Sequence, residues 1–268
     1  MITDSHLAVS AMFDFFLKNK IMKKEKTLKK FSVIVFLLSI ILLPVFSEER
    51  YTVITPDKIE ENFEDNGYEK ILFIVDLSNS MNELINGVKK TDIAFYTFGK
   101  ILSKLNPKIK TGLRVYGHKF GFNPLLGCTA TELVSPIKEN NSHNIYNILS
   151  RMNASGWTPI TRSLKNAVNN DFAGIKGKKR IILLTDGGEN CDESPCDYAI
   201  RLVQSRDDIR IDVIEFAIDD PVAEAQLKCT ALTTSGKIYR ANDADSLSES
   251  LEQLLDIKTE VQGKIITK

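Results

Sequence analysis

Ile71-Leu72-Phe73-Ile74-Val75-Asp76-Leu77-Ser78-Asn79-Ser80 is a run of large apolar residues that stops at a carboxylate and continues with hydroxyls at alternating positions. An apolar run of this length, without polar alternation, predicts a strand buried on both faces of a parallel sheet. Open α/β sheets place their sites at the carboxyl ends of the strands. Asp76, Ser78 and Ser80 therefore crowd onto the loop that leaves this strand. One anionic and two neutral oxygen donors form part of a cradle for a hard divalent cation, Mg²⁺ first among them. The same residues also read as a capping turn, because Asp, Ser and Asn favour helix starts.

The pattern recurs at Arg180-Ile181-Ile182-Leu183-Leu184-Thr185-Asp186-Gly187-Gly188, again an apolar strand closed by a carboxylate. Between the two, apolar spacing predicts a helix over 89–105, ending before Pro107. A strand over 111–116 pairs with a short one over 131–134 across a Gly-rich loop that holds Cys128. A helix over 145–152 follows, then a turn at 156–160 that opens a helix over 161–168. Beyond Asp186 the reading is helix 195–203, strand 209–217, helix 221–233, strand 237–240 and helix 244–257. Strands alternating with helices predict an α/β fold, doubly wound, with a mostly parallel central sheet, helices on both faces and one antiparallel edge strand. In such a sheet the loops after neighbouring strands lie side by side. That brings Asp76, Ser78, Ser80, Thr158 and Asp186 toward one point.

These residues resemble the von Willebrand factor type A (VWA) family over roughly 68–257. Asp76-Leu77-Ser78-Asn79-Ser80 is similar to its Asp-x-Ser-x-Ser motif. Thr158 in Gly156-Trp157-Thr158-Pro159 resembles its second-loop threonine, and Asp186 in Thr185-Asp186-Gly187 its third-loop aspartate. Similarity to exported bacterial members extends to Arg114-Val115-Tyr116-Gly117-His118, the 191–196 loop and Leu227-Lys228-Cys229. The resemblance implies a complete metal-ion-dependent adhesion site. Ser78, Ser80 and Thr158 would offer hydroxyls to Mg²⁺ (or Mn²⁺ or Ca²⁺), and Asp76 and Asp186 would act mainly through bound waters. A protein partner's carboxylate would then complete the coordination shell. Trp157, beside Thr158, reads equally as part of a binding face, where Trp is over-represented, or as packing on a helix.

The rest of the chain bounds this reading. Its 268 residues carry 35 basic and 35 acidic side chains, so no electrostatic pull toward nucleic acid is expected. The three histidines, His6, His118 and His143, are not spaced as zinc ligands; His118 reads as structural or as part of a loop. Residues 1–21 read as an extension ahead of a true start at Met22. Residues 22–47 read as a signal peptide, a basic segment followed by an apolar one, or as an uncleaved signal anchor. Residues 48–67 are a lead-in and 258–268 a tail. Export to the periplasm, outer envelope or medium follows, with membrane contact only through the first segment if it stays uncleaved. Cys128, Cys191, Cys196 and Cys229 are even in number in an exported chain, which favours disulfides. Three pairings are open; with the loops placed as above, Cys128 with Cys191 and Cys196 with Cys229 is the expected one.

The leading expectation is a non-enzymatic, metal-dependent protein-binding module. One alternative is a metal-dependent hydrolase or phosphotransferase with Asp76 as nucleophile. It is disfavoured because Ser78 stands where a second Asp is wanted, and because neither a well-placed Lys nor a phosphate loop is evident. A structural envelope protein with an unused site is the other.

Overall fold

The computed structural model describes residues 70–121 and 123–257, apart from the side chains of residues 124 and 125. The segments read as 1–21, 22–47, 48–67 and 258–268 lie outside the described residues. Strand β1 (Lys70–Asp76) runs into a 3₁₀ turn (Asn79–Asn82), then a small hairpin of β2 (Leu84–Ile85) and β3 (Val88–Lys89). Helix α1 (Lys90–Leu102), strand β4 (Lys110–Tyr116), the single turn α2 (Pro124–Gly127), β5 (Thr131–Lys138) and α3 (Ser142–Leu149) follow. Next come α4 (Ile160–Asn166), β6 (Lys179–Thr185), α5 (Pro195–Ser205), β7 (Ile209–Phe216), α6 (Pro221–Thr233), β8 (Ile238–Ala241) and α7 (Ala244–Leu254).

The large sheet has the order β5-β4-β1-β6-β7-β8, parallel throughout except for β5, which pairs antiparallel with β4 at the edge. Every residue of β6 is buried, as is every residue of β1 after Lys70. That explains why both read as unbroken apolar runs. Alternate side chains feed two cores. Ile71, Phe73 and Val75 join Phe98, Ile145 and Leu251 from α1, α3 and α7 on one face. Leu72 and Ile74 join Leu164, Leu202 and Leu227 from α4, α5 and α6 on the other. The chain leaves β1 toward β4 and β5, then returns to β6 on the opposite side. The order therefore reverses beside β1, where a crevice opens at the carboxyl ends of the strands.

Several boundaries differ from the sequence reading. Strand β5 reaches Lys138 rather than residue 134, passing through Pro136, which an edge strand tolerates because one side needs no donor. Helix α3 covers Ser142–Leu149 rather than 145–152, and α1 ends at Leu102 rather than at residue 105. After α4 the chain widens into a π turn, Ala167–Asp171. Asp171 there accepts two hydrogen bonds from the Arg114 guanidinium, at 2.6 and 2.7 Å. The β2–β3 hairpin was not anticipated, although Asn86-Gly87 carries the usual signal: both residues have positive φ, as a tight two-residue turn requires.

Two disulfides form, Cys128–Cys191 and Cys196–Cys229, with Cα–Cα distances of 5.5 and 5.3 Å. This is the expected pairing. The first ties the β4–β5 loop to the β6–α5 loop, and the second ties α5 to α6. Among the described residues, no helix is long and apolar enough to cross a membrane.

Candidate metal centre at the β1 and β6 strand ends

Strand β1 ends in Asp76, which has no solvent exposure. Its Oδ1 accepts from the Ser78 amide at 2.7 Å, and its Oδ2 from the Tyr116 hydroxyl at 3.0 Å and the Thr185 hydroxyl at 2.7 Å. Three donors from three strand ends thus fix the carboxylate, and through its amide they fix Ser78. Burial, and then the nearby charge of Asp186, raise the Asp76 carboxyl from 3.8 to about 7, although bonds from Ser78 and Thr185 oppose the shift.

Above this anchor lies a chain of oxygens. The Ser80 hydroxyl donates to Asp186 Oδ1 at 2.7 Å, and the Ser78 and Ser80 hydroxyls are 3.0 Å apart. The second loop is latched alongside. Ser78 forms a parallel bridge with Gly156, the Asn79 amide donates to the Gly156 carbonyl at 3.0 Å, and the Ser155 amide donates to the Leu77 carbonyl at 3.0 Å. Thr158, two residues on, is buried. Its amide donates to Asn190 Oδ1 at 2.8 Å and its carbonyl accepts from the Asn190 amide at 3.4 Å.

Of the five residues expected at the site, Ser78, Ser80 and Asp186 are joined directly. Asp76 lies beneath them, bonded to the Ser78 backbone, and Thr158 sits on the adjoining loop. Trp157 is half-buried. A Cβ placed on Gly127 would come within 2.0 Å of its indole, so the ring packs on α2; it also lines a cleft of about 500 Å³ with Asn79, Phe120 and Asn190. His118 lies on the loop after β4, with Nε2 3.2 Å from Glu132.

Several residues of the site were not singled out in the sequence. Lys90 donates from its ammonium to Asp186 Oδ2 at 2.9 Å and to Glu83 Oε2 at 2.8 Å. Burial works against that ammonium, but the hydrogen bonds and charges of Glu83 and Asp186 outweigh it and hold its pKa above the usual lysine value. Lys90 was not picked out from the sequence; the short hairpin returns it to the carboxylate end of β6. Glu189 accepts from the Thr161 amide at 2.7 Å and the Cys191 amide at 3.0 Å, joining the start of α4 to the disulfide loop. Tyr116 and Thr185 had one sequence signal, a hydroxyl-bearing residue at the end of a strand. Asn190 and Lys90 had none, because their roles depend on which loops meet.

Residues 70–253 match the von Willebrand factor type A domain family. The chain belongs to that family. The uncharacterized protein YwmD of Bacillus subtilis (strain 168) is 30% identical to the VWA chain over 189 residues, covering 68% of this chain and 83% of that protein. An aerotolerance-related membrane protein of Bacteroides fragilis matches with a TM-score of 0.54 at 17% identity, covering 70% of this chain and 98% of that one. Proximal thread matrix protein 1 of the mussel byssus, solved with a zinc-occupied MIDAS motif, matches with a TM-score of 0.54 at 20% identity, covering 70% and 45%. At these identities the two solved structures establish the fold alone.

Proposed function

We propose that this VWA domain is an exported, non-enzymatic module that holds a divalent cation and uses it to bind the acidic side chain of a protein partner. The observation that carries the reading is the Ser78–Ser80–Asp186 oxygen chain, assembled from two separated strand ends. Its spacings of 3.0 and 2.7 Å lie at and just under the edge, about 3.0 Å, of an oxygen octahedron with bonds of about 2.1 Å. Such bonds suit Mg²⁺ or Mn²⁺. Ca²⁺, with bonds of about 2.4 Å, would need the donors to spread to roughly 3.4 Å.

The donor set also fits chemically. Among the described residues no cluster of three or more His, Cys, Asp or Glu could hold a metal ion, so hydroxyls must share the work with the aspartates. Ser78, Ser80 and Asp186 would supply oxygens, Thr158 would add a hydroxyl from the adjoining loop, and Asp76 would keep Ser78 in place. With few anionic donors, a bound divalent cation retains positive charge toward solvent and attracts a carboxylate. The surroundings support a macromolecular partner: Phe120 beside the cleft and Leu84 on the hairpin are 68% and 63% exposed. Apolar side chains at the rim of a polar centre suit a protein surface. Export is supported by the two disulfides, which persist in oxidising compartments.

The hydrolase alternative has less support. Asp76 is fully buried and both its oxygens accept hydrogen bonds from protein groups, which counts against a nucleophilic role. Calorimetric titration of the purified protein with Mg²⁺ and Mn²⁺ tests the main reading. Saturable single-site binding in the wild type, lost in Ser80→Ala, is expected. A wild-type protein that takes up neither ion overturns it.

A further inference from the structure

Lys90 is the first residue of α1, where the positive end of the helix dipole disfavours a cation. It is also 5% exposed, and lysine is rarely so buried unless it is paired. Neither helix formation nor solubility accounts for it. Its ammonium instead sits between Asp186 Oδ2 and Glu83 Oε2. These partners differ: the Asp186 side chain has no exposure, whereas that of Glu83 is 66% exposed. Asp186 therefore depends on Lys90 for compensation of its charge, while Glu83 has water as well. The Lys90 amide also donates to the Glu83 carbonyl at 2.9 Å, closing the hairpin that delivers the ammonium.

We propose that Lys90 is the buried counter-ion of Asp186 and so sets how tightly the site takes a divalent cation. This rests on the cation-binding reading above and deepens it. With Lys90 present, an incoming ion meets a carboxylate whose charge is already matched, and it approaches against a like charge. The Lys90 contact with Glu83 would leave the ammonium a carboxylate partner with a cation bound.

The test compares wild type, Lys90→Met and Lys90→Arg by calorimetric titration with Mn²⁺ and by thermal unfolding with and without Mn²⁺. Removing a unit charge a few ångströms away should tighten Mn²⁺ binding by about tenfold or more in Lys90→Met. It should also enlarge the stabilisation on adding Mn²⁺, because Asp186 is left without its counter-ion. Lys90→Arg, which keeps the charge, should stay near wild type. A Lys90→Met protein that folds only when Mn²⁺ is present would support the proposal equally. Equal or weaker Mn²⁺ binding by Lys90→Met, beside a wild type that binds, would overturn it. Absence of Mn²⁺ binding by the wild type would instead overturn the cation-binding reading itself.

Discussion

Ser80 and Asp186 stand 106 residues apart in the chain and are joined by a 2.7 Å hydrogen bond. The contact exists because β1 and β6 are parallel neighbours that end at the same level, with Val75 in register with Leu184. Each loop brings an oxygen to the crevice, and Asp76 beneath them keeps the first loop from relaxing. The proposed cation site would thus be a property of strand register, and its parts should fail together.

Removing either partner of that bond should leave the sheet folded and empty the site of affinity. Ser80→Ala and Asp186→Asn are expected to weaken Mn²⁺ binding by more than about 100-fold, the upper end of what substitutions around a metal site reach. Circular dichroism should remain native for Ser80→Ala. Retention of wild-type affinity in both variants would contradict the assignment.

Asp76 makes the metal-free protein sensitive to pH. Its carboxyl titrates near 7 in the folded chain against 3.8 for the unconstrained group, so between those values the folded state holds more protons than the unfolded one. Stability must therefore fall as pH rises through that window. From about pH 5 to about pH 8 this group should cost about 2–3 kcal/mol, measurable by urea denaturation in EDTA. A saturating divalent cation should restore stability at the higher pH. A rise in stability over this interval in EDTA would show that Asp76 is ionised throughout.

Gly117 holds the first two loops together through its backbone. Its φ is +71°, and a Cβ there would lie 2.6 Å from the Ser78 amide nitrogen. Its carbonyl meanwhile accepts from the Gly156 amide at 2.7 Å. Gly117→Ala should cost about 1–3 kcal/mol from the backbone conformation alone, and it should displace Ser78 enough to weaken Mn²⁺ uptake. Unchanged stability and affinity would mean that the loop yields without consequence.

The disulfides close loops of 63 and 33 residues. A chain-entropy account assigns each about 4 kcal/mol, so reduction should lower the denaturation midpoint markedly. Cys191→Ser with Cys128→Ser should further loosen Asn190 and with it Thr158, and reduce Mn²⁺ affinity beyond the effect of Cys196→Ser with Cys229→Ser. Peptide mapping without reductant should recover the 128–191 and 196–229 pairs. A 191–196 linkage would refute the arrangement.

The amino-acid order alone determined the α/β architecture. Two unbroken apolar runs capped by aspartate can bury both faces only inside a sheet covered by helices, and the intervening periodicities leave the chain few other ways to wind. It also marked Asp76, Ser78, Ser80 and Asp186, because oxygen-bearing residues at the ends of such strands must share one edge, and Thr158, on the turn before α4, through the resemblance to the VWA family. The tertiary structure decided what each residue does there. Asp76, expected to act mainly through bound waters, is buried and also anchors the Ser78 amide. Lys90 and Asn190, ordinary in sequence, became the counter-ion of Asp186 and the clamp on Thr158. Those roles depend on distances of about 3 Å between segments remote in the chain, which hydrogen bonds and ion pairs sense and which local spacing does not encode.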